Sequence, residues 1–513
     1  MFSSVKSVGL NGLDGYIVNV EATIMNGLTG CEIVGLPDTA VREAKERVLS
    51  AIKNIGLSLP YGKIIVNLSP ANTRKAGAVF DLPIAISLLI NMEVLEEKQT
   101  TDYAFIGELS LNGDLKKVTG ILPMALEVKK QNIQNLIVPP ENAGELSVVN
   151  GINIYTAKNL SDILTHFHQQ SLLEKVPADT TNLFSSNQQY AIDFSEVKGQ
   201  STAKRAIEIA AAGNHNLLML GSPGSGKTML AQRIPTILPD LTFEEALEVT
   251  KIYSVSGLLS SNLSLITQRP FRSPHHTISN ISLVGGGSYP RPGEISLAHN
   301  GVLFLDELPE FQKNALEVLR QPLEDRKITI SRANASYTFP ANFMFVASMN
   351  PCPCGYYGST LKSCTCTPKQ IHNYIAKISG PLLDRIDIQL EVQTIKYADL
   401  SNFSQEESSL SIRKRVNEAR QIQLKRYQNS GIHSNSELSA KKLKEVCTLS
   451  SECDKIMQNA FEKLNLSARA YSRVLKVART IADLEKSQNI QKNHILEAIQ
   501  YRSLDKCYFG SKN

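Results

Sequence analysis

The spacing of apolar positions changes character along the chain. Residues 17–24 and 63–68 read as strands. Between them, residues 40–55 set Val41, Ala44, Val48, Ala51 and Ile52 on one face, the spacing of an amphipathic helix. Residues 82–90 read as a buried helix, so residues 1–168 form a mixed α/β domain. The pattern lapses over residues 169–192, where Gln-Gln, Thr-Thr and Ser-Ser pairs make a linker. From 193 to 395, short apolar runs alternate with helical stretches, as in a parallel sheet. From 396 to 513 the chain turns helical, with stretches at 408–427, 440–447, 452–464, 468–484 and 492–501. The fold class is therefore α/β, with a helical C-terminal part.

Length agrees with this division. At roughly 100–200 residues per domain, 513 residues suit about three domains. A composition of 42% hydrophobic and 20% charged residues is that of a globular protein, not a disordered one. The formal net charge of +5 permits an anionic partner without demanding one. The apolar run 79–90 is interrupted by Asp81 and Pro83 and is too short to span a bilayer. The first residues lack a basic segment followed by an apolar one. No membrane association and a cytoplasmic location are the resulting expectations.

The strongest chemical signal is Gly221-Ser222-Pro223-Gly224-Ser225-Gly226-Lys227-Thr228, which follows the apolar run 217–220 and precedes a helical stretch. Strand, glycine-rich loop and helix in that order make a phosphate cradle, and the helix N-terminus adds its dipole. Lys227 is expected to reach the β- and γ-phosphates of ATP, and Thr228 to bind Mg2+ through its hydroxyl. A second apolar run, 301–305, ends in Asp306 and Glu307. Asp306 is expected to hold the magnesium, and Glu307 to position the attacking water. A third run ends in Asn350, suited to orient that water, while Arg385 stands where a neighbouring subunit's arginine would act in trans. An Arg385–Asp387 surface pair is the plainer alternative.

Eight cysteines are present, and Cys352, Cys354, Cys364 and Cys366 crowd into one short segment. Four thiolates suit a tetrahedral structural Zn2+ and leave no open coordination position for catalysis. His275-His276 is not expected to chelate, because neighbouring side chains on a strand point to opposite faces. A DNA-facing or inter-subunit role, or plain packing, is expected instead.

These residues carry a resemblance. The runs 269–277, 285–296, 350–358 and 379–385 make the chain similar to the ComM/YifB family of magnesium-chelatase-like AAA+ ATPases over essentially its whole length. The resemblance implies a hexameric ring, with Asn350 as sensor 1 and Arg385 as the arginine finger. It implies sensor 2 at Arg469, or failing that Arg473, and an adenine-side entry segment at residues 193–200. It also implies pore-lining β-hairpins near residues 268–292 and 327–340, and association with DNA branch migration in natural transformation. Arg269, Arg272, Arg291, Arg326, Lys327 and Arg332 then become candidate phosphate grips, with Tyr289 a stacking platform.

The first domain resembles the Lon protease fold at residues 105–113 and 136–142. Lon's serine precedes an Ala-Gly pair, where this chain has Lys75; Lon's lysine position is Leu122 here. A serine nucleophile needs a base beside it, so no peptidase activity is expected. Lys63, Arg74 and Lys75 are candidates for phosphate contact instead. The leading expectation is an ATP-driven translocase acting on single-stranded and branched DNA. The alternative is an ATP-driven protein or metal-insertion remodeller of the magnesium-chelatase type.

Overall fold

The computed structural model describes residues 2–178, 190–260, 263–287, 289–332, 335–359, 362–394, 406–464, 466–502 and 504. The expected division at 395/396 and residues 179–189 of the linker expected at 169–192 fall outside them; within that stretch Glu174–Lys175 is not linker but a strand paired with Asn153–Thr156, because its backbone completes the edge of the first unit's sheet. By mutual contact the chain forms two units: residues 1–187 with 246–266, and residues 188–245 with 267–513.

The first unit is built on an eight-stranded mixed sheet. Across it run Glu174–Lys175, Asn153–Thr156, Asn135–Val138, Tyr103–Phe105, Phe2–Asn11, Asp14–Met25, Lys63–Ser69 and Gly30–Val34. The helix Thr39–Asn54 starts where the Asp38 carboxylate accepts the Val41 amide at 2.8 Å. It buries Val41, Ala44, Val48, Ala51 and Ile52, the face read from the sequence. Every residue of the helix Asp81–Asn91 is buried. Its lone carboxylate, Asp81, is held by a two-pronged bond from Arg47 at 2.6 and 2.9 Å.

Residues 246–266, read from the sequence as part of the ATPase core, cluster with this first unit instead. The reason is local bonding. The Ser254 carbonyl accepts the Gly120 amide at 3.0 Å.

The second unit centres on a five-stranded parallel sheet in the order Phe271–Arg272, Val302–Leu305, Met344–Met349, Leu217–Leu220, Ile388–Glu391. Its central strands are buried on both faces, as parallel strands covered by helices must be, and so read as unbroken apolar runs. The helices Ser201–Gly213 and Lys227–Ile237 cover it, and Ser409–Arg426 and Ala468–Leu484 pack on Ser201–Gly213 in turn. Two antiparallel hairpins stand apart from the sheet. One pairs Lys327–Arg332 with Ala335–Pro340; the other, very short, pairs Gly285–Gly286 with Arg291–Pro292.

No described helix is long and apolar enough to cross a membrane.

Candidate active site

The phosphate loop leaves Leu217–Leu220 at the carboxyl edge of the sheet, beside the point where strand order reverses, which is where ligands bind in such sheets. Gly224 and Gly226 take φ of 77° and 87°, a region that a side chain would strain. Gly226 is the last residue before the helix Lys227–Ile237. A Cβ at Gly221 would sit 2.5 Å from the Val392 carbonyl and 2.8 Å from Ser225 Oγ, so the close approach of chain to chain requires glycine there.

Lys227 folds into the cradle. Its Nζ donates to the Gly221 carbonyl at 2.8 Å, the Ser222 carbonyl at 3.0 Å and Asn350 Oδ1 at 3.2 Å. Burial lowers its pKa, with Asp306 and Glu307 opposing that shift. The ammonium thus rests on neutral oxygens, ready to exchange them for phosphate.

Thr228 Oγ donates to Asp306 Oδ2 at 2.7 Å. A hydroxyl from the first turn of the helix Lys227–Ile237 and a carboxylate just past the strand Val302–Leu305 converge, an oxygen-only pair that suits a hard divalent cation such as Mg2+. Asp306 Oδ1 accepts the Glu307 amide at 3.1 Å and, at close range, the Ser348 hydroxyl. Ser348 was not singled out from the sequence. Its signal was a hydroxyl inside the otherwise apolar run Met344–Met349, two positions before Asn350 and so on the same face. Glu307 itself sits at φ 53°, a conformation that is sterically costly for a side chain, and its carboxylate is exposed.

Three neighbours complete the surroundings. Gln200, also left-handed at φ 55°, donates from Nε2 to the Ser225 carbonyl at 2.7 Å and so ties the entry segment to the phosphate loop. Arg233 reaches back to the Asp193 carbonyl and to Glu196, fastening that segment to the helix after the loop. His276 places Nδ1 4.0 Å from a Glu307 oxygen. The His275 and His276 rings lie 4.0 Å apart, not on opposite faces as read from the sequence. The strand there ends at Arg272, so strand alternation does not govern the pair.

Arg385 is buried. It donates to the Pro381 carbonyl at 2.7 Å and pairs closely with Glu324, while its Nε finds no partner among the described residues. The alternative Arg385–Asp387 pair does not form. Asp387 is taken by Arg473, with its other oxygen accepting the Asn216 amide at 2.9 Å. Arg473 is thus committed to the sheet, whereas Arg469, one turn earlier, is exposed.

The candidate phosphate grips separate into two groups. Arg269 is half-buried, bonding the Asn300 carbonyl at 2.7 Å and Glu245 at 3.0 Å; Arg272 clasps Glu294 at 2.6 and 2.7 Å. Arg326 pairs with Glu437 at 2.7 Å. These cations already have partners because each lies at the base of an insertion, facing acids and carbonyls of the core. Arg291, Lys327 and Arg332 are exposed, and Arg332 bonds the Gly287 carbonyl at 3.3 Å, joining one hairpin to the other.

In the first unit, Lys75 is fully buried with Nζ against the Pro70 carbonyl, so it cannot touch phosphate; burial lowers its pKa. Lys63 pairs with Glu32 at 2.9 Å on the surface. Leu122 is buried in the helix Ile121–Lys130.

The four clustered cysteines converge. Their sulfurs all lie within 4.8 Å of one another, with separations of 3.3, 3.7 and 3.6 Å among Cys352, Cys354 and Cys364. Amides of Tyr357 and Cys366 donate to Cys352 and Cys364 Sγ at 3.3 and 3.4 Å.

Comparison with known proteins agrees with this geometry. Residues 193–400 match the family described as magnesium chelatase, subunit ChlI. Residues 20–142 match subunit ChlI of Mg-chelatase, and 406–502 the ChlI C-terminal family. The chain is 43% identical to Competence protein ComM of Haemophilus influenzae over 500 residues, 96% of each chain. It is 44% identical to the YifB protein of Escherichia coli over 496 residues, again 96% of each. A magnesium-chelatase 67 kDa subunit of Chlorobaculum parvum is 26% identical over 164 residues, covering 31% of this chain and 23% of that one.

Proposed function

The chain belongs to the ComM/YifB family of magnesium-chelatase-like AAA+ ATPases, and from that premise we propose that it hydrolyses ATP to drive movement along DNA, promoting branch migration of incoming strands during natural transformation. The observation that carries the ATPase half is the convergence of Thr228 Oγ on Asp306 Oδ2 at 2.7 Å, with Lys227 Nζ 3.2 Å from Asn350 Oδ1.

In this reading Lys227 and the loop amides bind the phosphates, while Thr228 and Asp306 hold Mg2+, which supplies charge neutralisation on the phosphate oxygens. Glu307 and Asn350 orient a water in line with the γ-phosphorus. The water's oxygen bonds to phosphorus as the bond to the ADP oxygen breaks, and the water's proton leaves by way of the Glu307 carboxylate. Arg385 serves a neighbouring protomer in a hexameric ring, exchanging Glu324 for the γ-phosphate. Arg469 acts as sensor 2 from the lid. The four thiols hold a structural zinc. The first unit has no peptidase activity, with Lys75 and Leu122 in place of a Ser–Lys dyad.

The DNA half is supported by the exposed cations Arg291, Lys327 and Arg332 on the paired hairpins, which suit sequence-independent phosphate contact. It is supported also by the name of the competence relative. The similarity to a magnesium-chelatase subunit favours a second reading, a remodeller of a protein partner. A branch-migration assay with purified protein separates them. The first reading expects ATP-dependent strand exchange, absent with Glu307→Gln, and DNA-stimulated turnover that falls steeply with salt. ATP turnover indifferent to DNA, with no strand moved, would sink it in favour of the second.

A further inference from the structure

The cysteine segment is not an appendage. It leaves the sheet at Asn350, two residues before Cys352, and returns at Cys366 into the helix Pro368–Ile375. Thr367 caps that helix, with Gln370 completing a capping box. Near the helix's end, Tyr374 is buried. One arm of the segment therefore starts on Asn350, whose side chain holds Lys227, and the other runs into this helix.

Between the arms, sulfur spacings of 3.3 to 3.7 Å fall near the ~3.8 Å edge of a tetrahedron with bonds of about 2.3 Å to zinc. They are far longer than the roughly 2.05 Å of a disulfide. The Tyr357 amide donates to Cys352 and the Cys366 amide to Cys364, the kind of outer bonding that fixes thiolates for a metal. The turn between the pairs presses on the phosphate loop. Gly355, at φ 83°, lies so close that a Cβ there would stand 2.6 Å from Pro223 Cγ and Cδ.

We infer that the zinc-bound knot of Cys352, Cys354, Cys364 and Cys366 is a positioning device for the ATP site, holding Asn350 by the chain that leaves it and by Gly355, where a Cβ would stand 3.9 Å from Asn350 Cγ, and backing Pro223 of the phosphate loop. This rests on the zinc reading above. Without the metal, the segment loses its closure, and the entropy of a free loop is returned to the arm that leaves Asn350. Nucleotide turnover then becomes sensitive to thiol oxidation and to chelators of zinc, although no thiol touches ATP.

The test uses the full chain, with zinc content by elemental analysis and ATP turnover resolved into kcat and KM. Wild type is expected to carry one zinc per chain. Cys364→Ser with Cys366→Ser is expected to lose zinc and to lower kcat about 10–100-fold, the range for loss of a metal site's supporting groups. On an Asn350→Ala background the same pair should lower kcat by less than about threefold, because interacting sites are not additive. Gly355→Ala keeps every thiol, so zinc should stay while KM for ATP rises. Wild type that turns over ATP but holds no zinc overturns the zinc reading and this inference with it. A folded zinc-free variant with wild-type kcat overturns the inference alone. If the double variant does not fold, unchanged KM in Gly355→Ala decides against it.

Discussion

Replacing Asp387 by Asn should loosen the second unit by about 3 kcal/mol. Asp387 is 3% exposed and holds Arg473 on one oxygen and the Asn216 amide on the other. Removing one partner of a buried ion pair costs about 3–5 kcal/mol, since the survivor is left uncompensated. Here the Arg473 side chain retains 21% exposure and can recover some water, which places the loss at the low end. Burial on its own would raise the Asp387 carboxyl. The Arg473 guanidinium, with His215 and the Asn216 amide, outweighs burial and holds the group well below the usual carboxylate range. Its folded pKa is therefore depressed, and the sign follows. Its stabilisation is fully present above the unfolded value of about 4 and fades as pH falls toward the folded value. Urea unfolding followed by circular dichroism, for wild type and Asp387→Asn from pH 8 to pH 3, measures this. The gap should be flat above about pH 5 and narrow below about pH 4. A gap under about 1 kcal/mol at pH 7, or one that persists undiminished to pH 3, would refute the account of Asp387 as the charged anchor of the helix Ala468–Leu484.

Other outcomes follow from the site. Glu307→Gln should retain ATP through gel filtration while turnover drops about 10²–10⁴-fold, the range for loss of proton transfer. Arg385→Ala should lower kcat about 10³-fold or more, and mixing it with Lys227→Ala subunits should restore turnover, since each supplies what the other lacks. Arg332→Ala should weaken DNA binding and reduce the slope of log affinity against log salt by about one, read by fluorescence anisotropy. Arg269→Ala should instead lower the melting temperature, because its guanidinium is spent on the Asn300 carbonyl and Glu245.

What could be read from the sequence is what is local. The helix Ala468–Leu484 matches its expected limits, and the strands Asp14–Met25 and Lys63–Ser69 extend only slightly past theirs, because side-chain periodicity and caps are local signals. Gly221 to Thr228 is legible for the same reason: loop, lysine and hydroxyl are contiguous. The hairpin spanning Lys327 to Pro340 stood where the family resemblance put it. What escaped depends on distant chain segments. Ser348 matters only because the neighbouring strand brings Asp306 beside it, and Gln200 only because its left-handed turn faces Ser225. Arg269 and Lys75 looked like free cations, since burial among carbonyls leaves no mark on composition. The membership of residues 246–266 rests on contacts such as the Gly120 amide on the Ser254 carbonyl, which no periodicity encodes.

The hairpin Lys327–Pro340 has a root with a long reach. Arg326, the left-handed residue at φ 55° just before its first strand, grips Glu437 at 2.7 Å in the turn Asn435–Glu437 of the C-terminal helical part. Lys476 of the helix Ala468–Leu484 donates to the Ser436 carbonyl of that same turn at 2.8 Å. These two bonds therefore tie that helix to the root of the hairpin without passing through the sheet. A pull on that helix would reach the strand Lys327–Arg332 through Arg326, as a pull on an oar's handle reaches its lock.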